Sequence, residues 1–423
     1  MFASDVTKYE ALSTACYISA ELISELADKE LARTKLLEEK RNLIKLSGDL
    51  ISTGKISIPL FKRILTFLYS ACKMSGEIAI YLRDSHKDLL NKMINTLLKK
   101  EVNEDYELLA GIVGLICSSM QNLESLDKGV ANEVLNILRK IVVKTSPKES
   151  FFVKVDNLIK SCDEEKEQEK IEEIRKSLGQ GANVWTSEAS ANSIVLEVLA
   201  ELFTSEECPE QNIKDYDDIG EDIKMEEEKS SYVETMADIL IDKEFVDAII
   251  NKCTPFLTED KCFQLKSLRE ASNIVKAAEK LRKNAYSCLL NLILNCPKKI
   301  GINENIKQLI INSLKEIVSA SKANYLKEHI STFVKVSFER LTNDLHLEGS
   351  ITQSDLSFIL TAIQLMNNEE MQKNIISVLG VLLKSITHSL EFNKVSFCVK
   401  VGMLYSVIGI GNERLLSIDN SCT

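Results

Sequence analysis

Apolar side chains recur every three or four positions along most of the chain, the spacing of an amphipathic helix. Tyr9, Leu12, Cys16, Ile18, Leu22 and Leu26 form the first such stripe, with Asp5 placed to cap it. Leu31, Leu36, Leu37, Leu43, Ile44 and Leu50 form a second, which Gly54 ends. Pro59 suits the first turn of the next helix, where its missing N–H costs nothing, and Leu60, Ile64, Phe67, Leu68 and Cys72 line that helix. Leu89, Met93 and Leu97 mark a further one, and residues 105–119 and 129–143 read as a helix pair followed by the break of Pro147. Between residues 148 and 181 the pattern predicts a charged helix, DEEKEQEKIEEIRK, and then a turn at Gly179 and Gly181. Its closely mixed charges read as a solvated face. Residues 186–203 follow as a helix with Ile194, Leu196, Val198, Leu199 and Leu202 turned inward.

The pattern then stops, and resumes in the second half of the chain. Apolar-rich helices are expected around Ile239, Ile249, Val275, Leu290, Ile311, Val334, Ile359, Val378 and Met403. From Leu290 onward the step is about 23 residues, so a helix pair takes about 45, inside the period of HEAT and armadillo arrays. A helix pair of this kind leaves an apolar side that only a neighbouring pair covers, so the pairs stack. The expected fold is all-α, an armadillo/HEAT-like helical-repeat solenoid with an acidic loop insertion. Residues 1–204 would form the N-terminal repeats, 205–230 the loop, and 231–423 the C-terminal repeats.

That interruption, SEECPEQNIKDYDDIGEDIKMEEEK, carries the main functional signal. Up to Glu228 it holds eleven carboxylates against two lysines, whereas the whole chain has a formal net charge of −11. With almost no apolar periodicity it has no face to bury, and it is expected to be a mobile anionic arm. Such an arm attracts a basic partner over roughly a Debye length, about 8 Å at physiological salt, and speeds association. Glu206, Glu207, Glu210, Asp215, Asp217, Asp218, Glu221, Asp222, Glu226, Glu227 and Glu228 are the candidate partner-binding residues. The bland alternative is a solvated linker without a role.

Composition narrows the classes. The chain has 423 residues, 45% of them hydrophobic, with 5 prolines and 15 glycines, too few for a loop-rich β protein. A sequence pI near 5.2 and the lack of a basic stripe argue against direct nucleic-acid binding. Residues 108–123 are the longest uncharged apolar-looking run, short of the roughly 20 residues of a spanning helix, so no membrane is expected. The first residues, MFASDVTKYEAL, do not read as a secretory signal. The eleven cysteines form no CxxC pair, which points to free thiols in cytoplasm or nucleus. Cys253, Cys262, Cys288 and Cys296 read as buried apolar residues.

No cofactor or metal is expected. His86, His329, His346 and His388 lie far apart in sequence, and no HExxH is present. Gly409-Ile410-Gly411 reads as a helix break, and neither GxxxxGK[ST] nor GxSxG occurs. Trp185, the single tryptophan, reads as a packing residue just before a helix. No acid, base and nucleophile converge in the pattern, so the chain is not expected to be an enzyme.

The helix before the acidic run, NSIVLEVLAELFTSEE, resembles a stretch of the symportin family, through Leu196, Glu197, Val198, Leu199 and Ser205-Glu206-Glu207. Glu201 stands where the family has an amide. LLAGIVGLI, residues 108–116, is similar to a family helix upstream, and RKNAYSCLLNL, residues 282–292, to one downstream through Ala285, Cys288, Leu289, Asn291 and Leu292. The resemblance runs from about Glu104 to near the C-terminus. It implies an armadillo/HEAT chaperone for the basic large-subunit ribosomal proteins that join 5S ribosomal RNA, with one of them in a superhelical groove beside the acidic loop. It also implies a karyopherin that reads a basic, proline-tyrosine signal at the N-terminus. None of the five prolines here precedes a tyrosine, so partner binding carries over better than the import step. A karyopherin-like or general repeat scaffold is the competing reading.

Overall fold

The computed structural model describes residues 57–98, 105–120, 126–144, 168–204, 236–255, 272–296, 304–319, 325–341 and 372–376, with most of 44–51, Leu123 and Ile300. All secondary structure among them is helical. The chain divides into two compact units, Met1–Leu199 and Ala200–Thr423.

In the first unit the described helices are α1 (Ile58–Met74), α2 (Gly76–Ser85), α3 (Lys87–Leu98), α4 (Tyr106–Ser119), α5 (Lys128–Lys144) and most of α6 (Gln168–Leu202). Pro59 lies in the opening turn of α1, and Leu60, Ile64, Phe67, Leu68 and Cys72 are all buried, as their spacing predicts. Leu89, Met93 and Leu97 bury one face of α3. The apolar run from residue 108 becomes α4, buried on every side from Leu108 to Ile116 and packed against α1, α2, α3 and α5. A helix that is apolar all round belongs at the centre of a helical layer, and α4 takes that place. Asp105 caps it, accepting from the Leu108 amide at 3.2 Å.

Two glycines let α4 pack this closely. A Cβ at Gly114 would stand 2.8 Å from Ile194 Cγ2 and 3.1 Å from Tyr69 Cδ2; one at Gly111 would stand 3.2 Å from Leu65 Cβ. Alanine at Gly114 gains helix propensity of about 1 kcal/mol but must push aside a β-branched side chain and an aromatic ring. Gly114→Ala is therefore expected to lower stability by about 1–3 kcal/mol, and Gly111→Ala by less. Urea midpoints of the two variants check this; equal or raised midpoints for Gly114→Ala would contradict the packing.

Polar side chains join α1 to α4 and α6. Lys62 Nζ lies 2.8 Å from Asp105 Oδ1 and 2.9 Å from Glu107 Oε2, and Ser187 Oγ donates to Glu107 Oε2 at 2.7 Å. The Tyr69 hydroxyl donates to Glu197 Oε2 at 3.0 Å, and Lys73 Nζ sits 3.3 Å from Glu197 Oε1. Burial, reinforced by the Glu197 carboxylate, pushes the Tyr69 phenol up and keeps it a neutral donor.

The turn expected at Gly179 and Gly181 does not form: α6 runs through both glycines for 35 residues. An isolated helical glycine costs only about 1 kcal/mol. Downstream, Ala189, Ala191, Val195, Leu196, Val198 and Leu199 are buried and anchor the helix. Trp185 is consequently inside α6, not before it, and is buried.

The second unit holds α7 (Lys243–Cys253), α8 (Ser272–Asn295), α9 (Glu304–Ser319) and α10 (Tyr325–Leu341). The two centres expected at Val275 and Leu290 belong to one 24-residue helix, α8, which has neither glycine nor proline inside it to break it. Helix α8 packs on α7 and α10, and α9 packs on α7 and α10. The centres near Ile249, Ile311 and Val334 fall in α7, α9 and α10, whereas Ile239 turns 37% of its surface outward beside buried Met236, Ala237 and Leu240. Helices α9 and α10 start 21 residues apart, at 304 and 325, close to half the HEAT/armadillo period. The centres at Ile359, Val378 and Met403 lie outside the described residues, as do the two N-terminal stripes apart from Ile44. No described helix is long and apolar enough to cross a membrane.

Candidate partner-binding site

The acidic run begins at the end of α6, and that end is held within the second unit. The last carbonyls of an α-helix have no partner inside it. Here the side-chain amides of α8 supply partners. Asn291 Nδ2 donates to Ala200 O at 2.7 Å and to Thr204 Oγ1 at 3.0 Å. Asn295 Nδ2 donates to Phe203 O and, at 3.0 Å, to Asn291 O. Thr204 closes the arrangement, its hydroxyl donating to Ala200 O at 2.7 Å and its amide to Glu201 O at 3.0 Å. The two asparagines are four residues apart, so one face of α8 presents both amides. Phe203 is fully buried beside them and fixes the exit of the chain.

The chain is described again at Met236, Ala237 and Leu240, all buried, ahead of α7. Asp242 caps α7, accepting from the Phe245 amide at 2.8 Å. Both flanks of the acidic run thus belong to the unit Ala200–Thr423. The candidate residues themselves, Glu206, Glu207, Glu210, Asp215, Asp217, Asp218, Glu221, Asp222 and Glu226 to Glu228, lie outside the described residues.

Farther along α8 a second polar node ties four helices. Arg282 is buried; its Nη1 and Nη2 donate to Glu316 Oε1 and Oε2 at 3.0 and 2.8 Å, and its Nε donates to Cys253 O at 2.9 Å. The guanidinium therefore also serves the C-terminal end of α7. Burial opposes its charge, but the Glu316 carboxylate more than compensates and holds the guanidinium above its ordinary range. Its carbon stands 5.9 Å from the centre of the Tyr286 ring. Tyr286 shares a hydrogen bond of 2.9 Å with Ser313 and meets Phe333 edge-on at 5.2 Å.

Lys252 is 2% exposed, and its ammonium donates to Ala248 O at 3.4 Å. Burial lowers its pKa from 10.5 to about 8, with the Cys253 thiol acting weakly the other way. The folded state then binds fewer protons than the unfolded between about pH 8 and 10.5, so this lysine makes stability rise with pH across that window. Below it both states are charged and the burial penalty is constant. Lys252→Met is expected to stabilise the protein at pH 7 by about 1–3 kcal/mol, a gain that shrinks as pH rises from about 8 to 10. Burial raises the Cys253 and Cys288 thiols, which lowers stability above pH 9 in both proteins alike. Urea titrations of variant and wild type at pH 7 and pH 10 isolate the lysine; a pH-independent difference would refute the assignment.

Cys72, Cys253, Cys288 and Cys296 are buried free thiols, in keeping with the apolar role read for the last three. Cys262, His346, His388 and Gly409 to Gly411 lie outside the described residues. Among the described residues no group of three or more histidine, cysteine, aspartate or glutamate side chains is placed to hold a metal ion.

A family model described as SYO1-like, TPR repeats matches residues 234–404. Residues 234–404 are a SYO1-like repeat region. This is the symportin family that the order of helices resembles, and the match lies wholly within the second unit. The SYO1-like region contains α7 to α10 and, within α8, the RKNAYSCLLNL stretch with its Arg282 and Asn291. It starts after the acidic run, so NSIVLEVLAELFTSEE and LLAGIVGLI stand outside it. No curated protein and no solved structure matches the chain.

Proposed function

We propose that this chain is a binding protein and chaperone for newly made basic ribosomal proteins of the large subunit, those of the 5S ribonucleoprotein, and that it couples them to nuclear import and ribosome biogenesis. The observation that carries this reading is the SYO1-like region itself, set directly after a run of eleven carboxylates. Repeats over residues 1–204 and 231–423 would provide shape, and the segment 205–230 would provide charge. A ribosomal protein made to lie on RNA exposes lysines and arginines that aggregate or bind nucleic acid indiscriminately when bare. A dense anionic segment substitutes for phosphate on those cations and raises the rate of capture.

In this role the chain works in both cytoplasm and nucleus, with a karyopherin as second partner, and performs no covalent chemistry. Cargo recognition rests on Glu206, Glu207, Glu210, Asp215, Asp217, Asp218, Glu221, Asp222, Glu226, Glu227 and Glu228. The test is recovery of partners from cell extract by the wild-type chain and by a variant with these eleven carboxylates changed to amides. Basic large-subunit ribosomal proteins should come with the wild type and be depleted on the variant. Equal recovery by both would remove the segment from the mechanism, and recovery of none by the wild type would leave only a general scaffold.

A further inference from the structure

We propose that Thr204 is a phosphorylation site for an acidophilic, ATP-dependent serine/threonine kinase, and that the modification opens the clamp at the end of α6. Thr204 is exposed and is the second residue beyond Leu202, where α6 ends. Its sequence context, TSEECPE, places carboxylates two, three and six residues downstream, at Glu206, Glu207 and Glu210. The nearest lysine or arginine on that side is Lys214, and Glu201 and Glu197 lie upstream. A kinase whose substrate groove is lined by cations reads such a pattern by charge complementarity, and a kinase that needs basic residues rejects it.

The transfer balances simply. Thr204 Oγ1 forms a bond to the γ-phosphorus of ATP, the bond to the β–γ bridging oxygen breaks, ADP leaves, and the hydroxyl proton passes to the kinase base. The consequence follows from the bonds of that oxygen. Unmodified, it donates to Ala200 O at 2.7 Å and accepts from Asn291 Nδ2 at 3.0 Å. The phosphoester oxygen has no hydrogen, so the first bond is lost. About 1.5 to 2 negative charges then sit against the Ala200 and Phe203 carbonyls, at the negative end of a 35-residue helix. Phosphorylated Thr204 therefore leaves its place, and the hydrogen bonds of Asn291 and Asn295 to this end of α6 weaken with it.

The full-length chain is incubated with ATP and a kinase of the casein kinase type, and phosphate is mapped by mass spectrometry. Incorporation at Thr204 is expected, lost in Thr204→Ala, kept in Thr204→Ser and in Ser205→Ala. Incorporation only at Ser205, or none at either residue, overturns the site. Amide hydrogen exchange at residues 200–204 should then speed up about tenfold in the phosphorylated protein, as a terminal turn opens locally. Unchanged exchange there, with Thr204 fully phosphorylated, overturns the clamp-opening step.

Discussion

Arg282→Ala is expected to destabilise the second unit by about 3–5 kcal/mol, the cost of breaking a buried pair by deleting one partner. That is a large share of the roughly 5–15 kcal/mol that holds an ordinary domain together. The deletion leaves the Glu316 carboxylate without its fork of donors and Cys253 O without the guanidinium that serves it. It also removes the cation above Tyr286. Arg282→Lys should recover little, because an ammonium cannot donate to Glu316 through two parallel bonds and to Cys253 O at once. Pairing Arg282→Met with Glu316→Leu should recover most of the loss, since no charge then remains buried alone. Urea denaturation of the three variants gives the ordering, and a loss below about 1 kcal/mol for Arg282→Ala would mean that the ion pair contributes little.

A second large effect is kinetic. Changing the eleven carboxylates of residues 206–228 to amides takes the formal net charge from −11 to zero. The association rate with a basic large-subunit ribosomal protein should then fall about 10- to 100-fold at low salt, and its dependence on ionic strength should flatten. The dissociation rate should change much less. A smaller set, Asp215, Asp217, Asp218, Glu221 and Asp222 to amides, keeps the protein acidic and should give an intermediate rate. Stopped-flow measurement at several salt concentrations distinguishes these outcomes. An association rate insensitive to both sets of changes would show that capture occurs elsewhere on the chain.

Some of this architecture is legible in the sequence, for a physical reason. Helix α1 announces itself through Pro59 and a five-residue apolar stripe, and α4 through a long uncharged apolar run. Both signals are local, set by the chain's own periodicity. Two boundaries differ from the sequence pattern because glycine and spacing act as weak local cues against tertiary packing. Burial downstream carries α6 through Gly179 and Gly181, and nothing inside α8 interrupts the stripe that looks like two centres.

The clamp was less legible. Asn291 stands out in the sequence only through the family resemblance, and Asn295 does not stand out at all. Two asparagines four residues apart in the otherwise apolar stretch of residues 288–295 are a signal, because asparagine is a poor helix former that holds such a place by bonding elsewhere. Which carbonyls they serve cannot be read from the pattern, since Ala200 and Phe203 lie about 90 residues away in sequence. Charge, in contrast, is visible at once: the acidic run needs no fold to be noticed.

The reach of α8 back to residues 200–204 bears on how the second half of the protein should be cut for laboratory work. A recombinant piece beginning at residue 234, where the family match begins, would discard Phe203 and strip both asparagine amides of their helix-end acceptors. It would expose to solvent a surface that the intact chain covers. A piece beginning upstream of Ala200 keeps that surface closed, and should express as the better-behaved product.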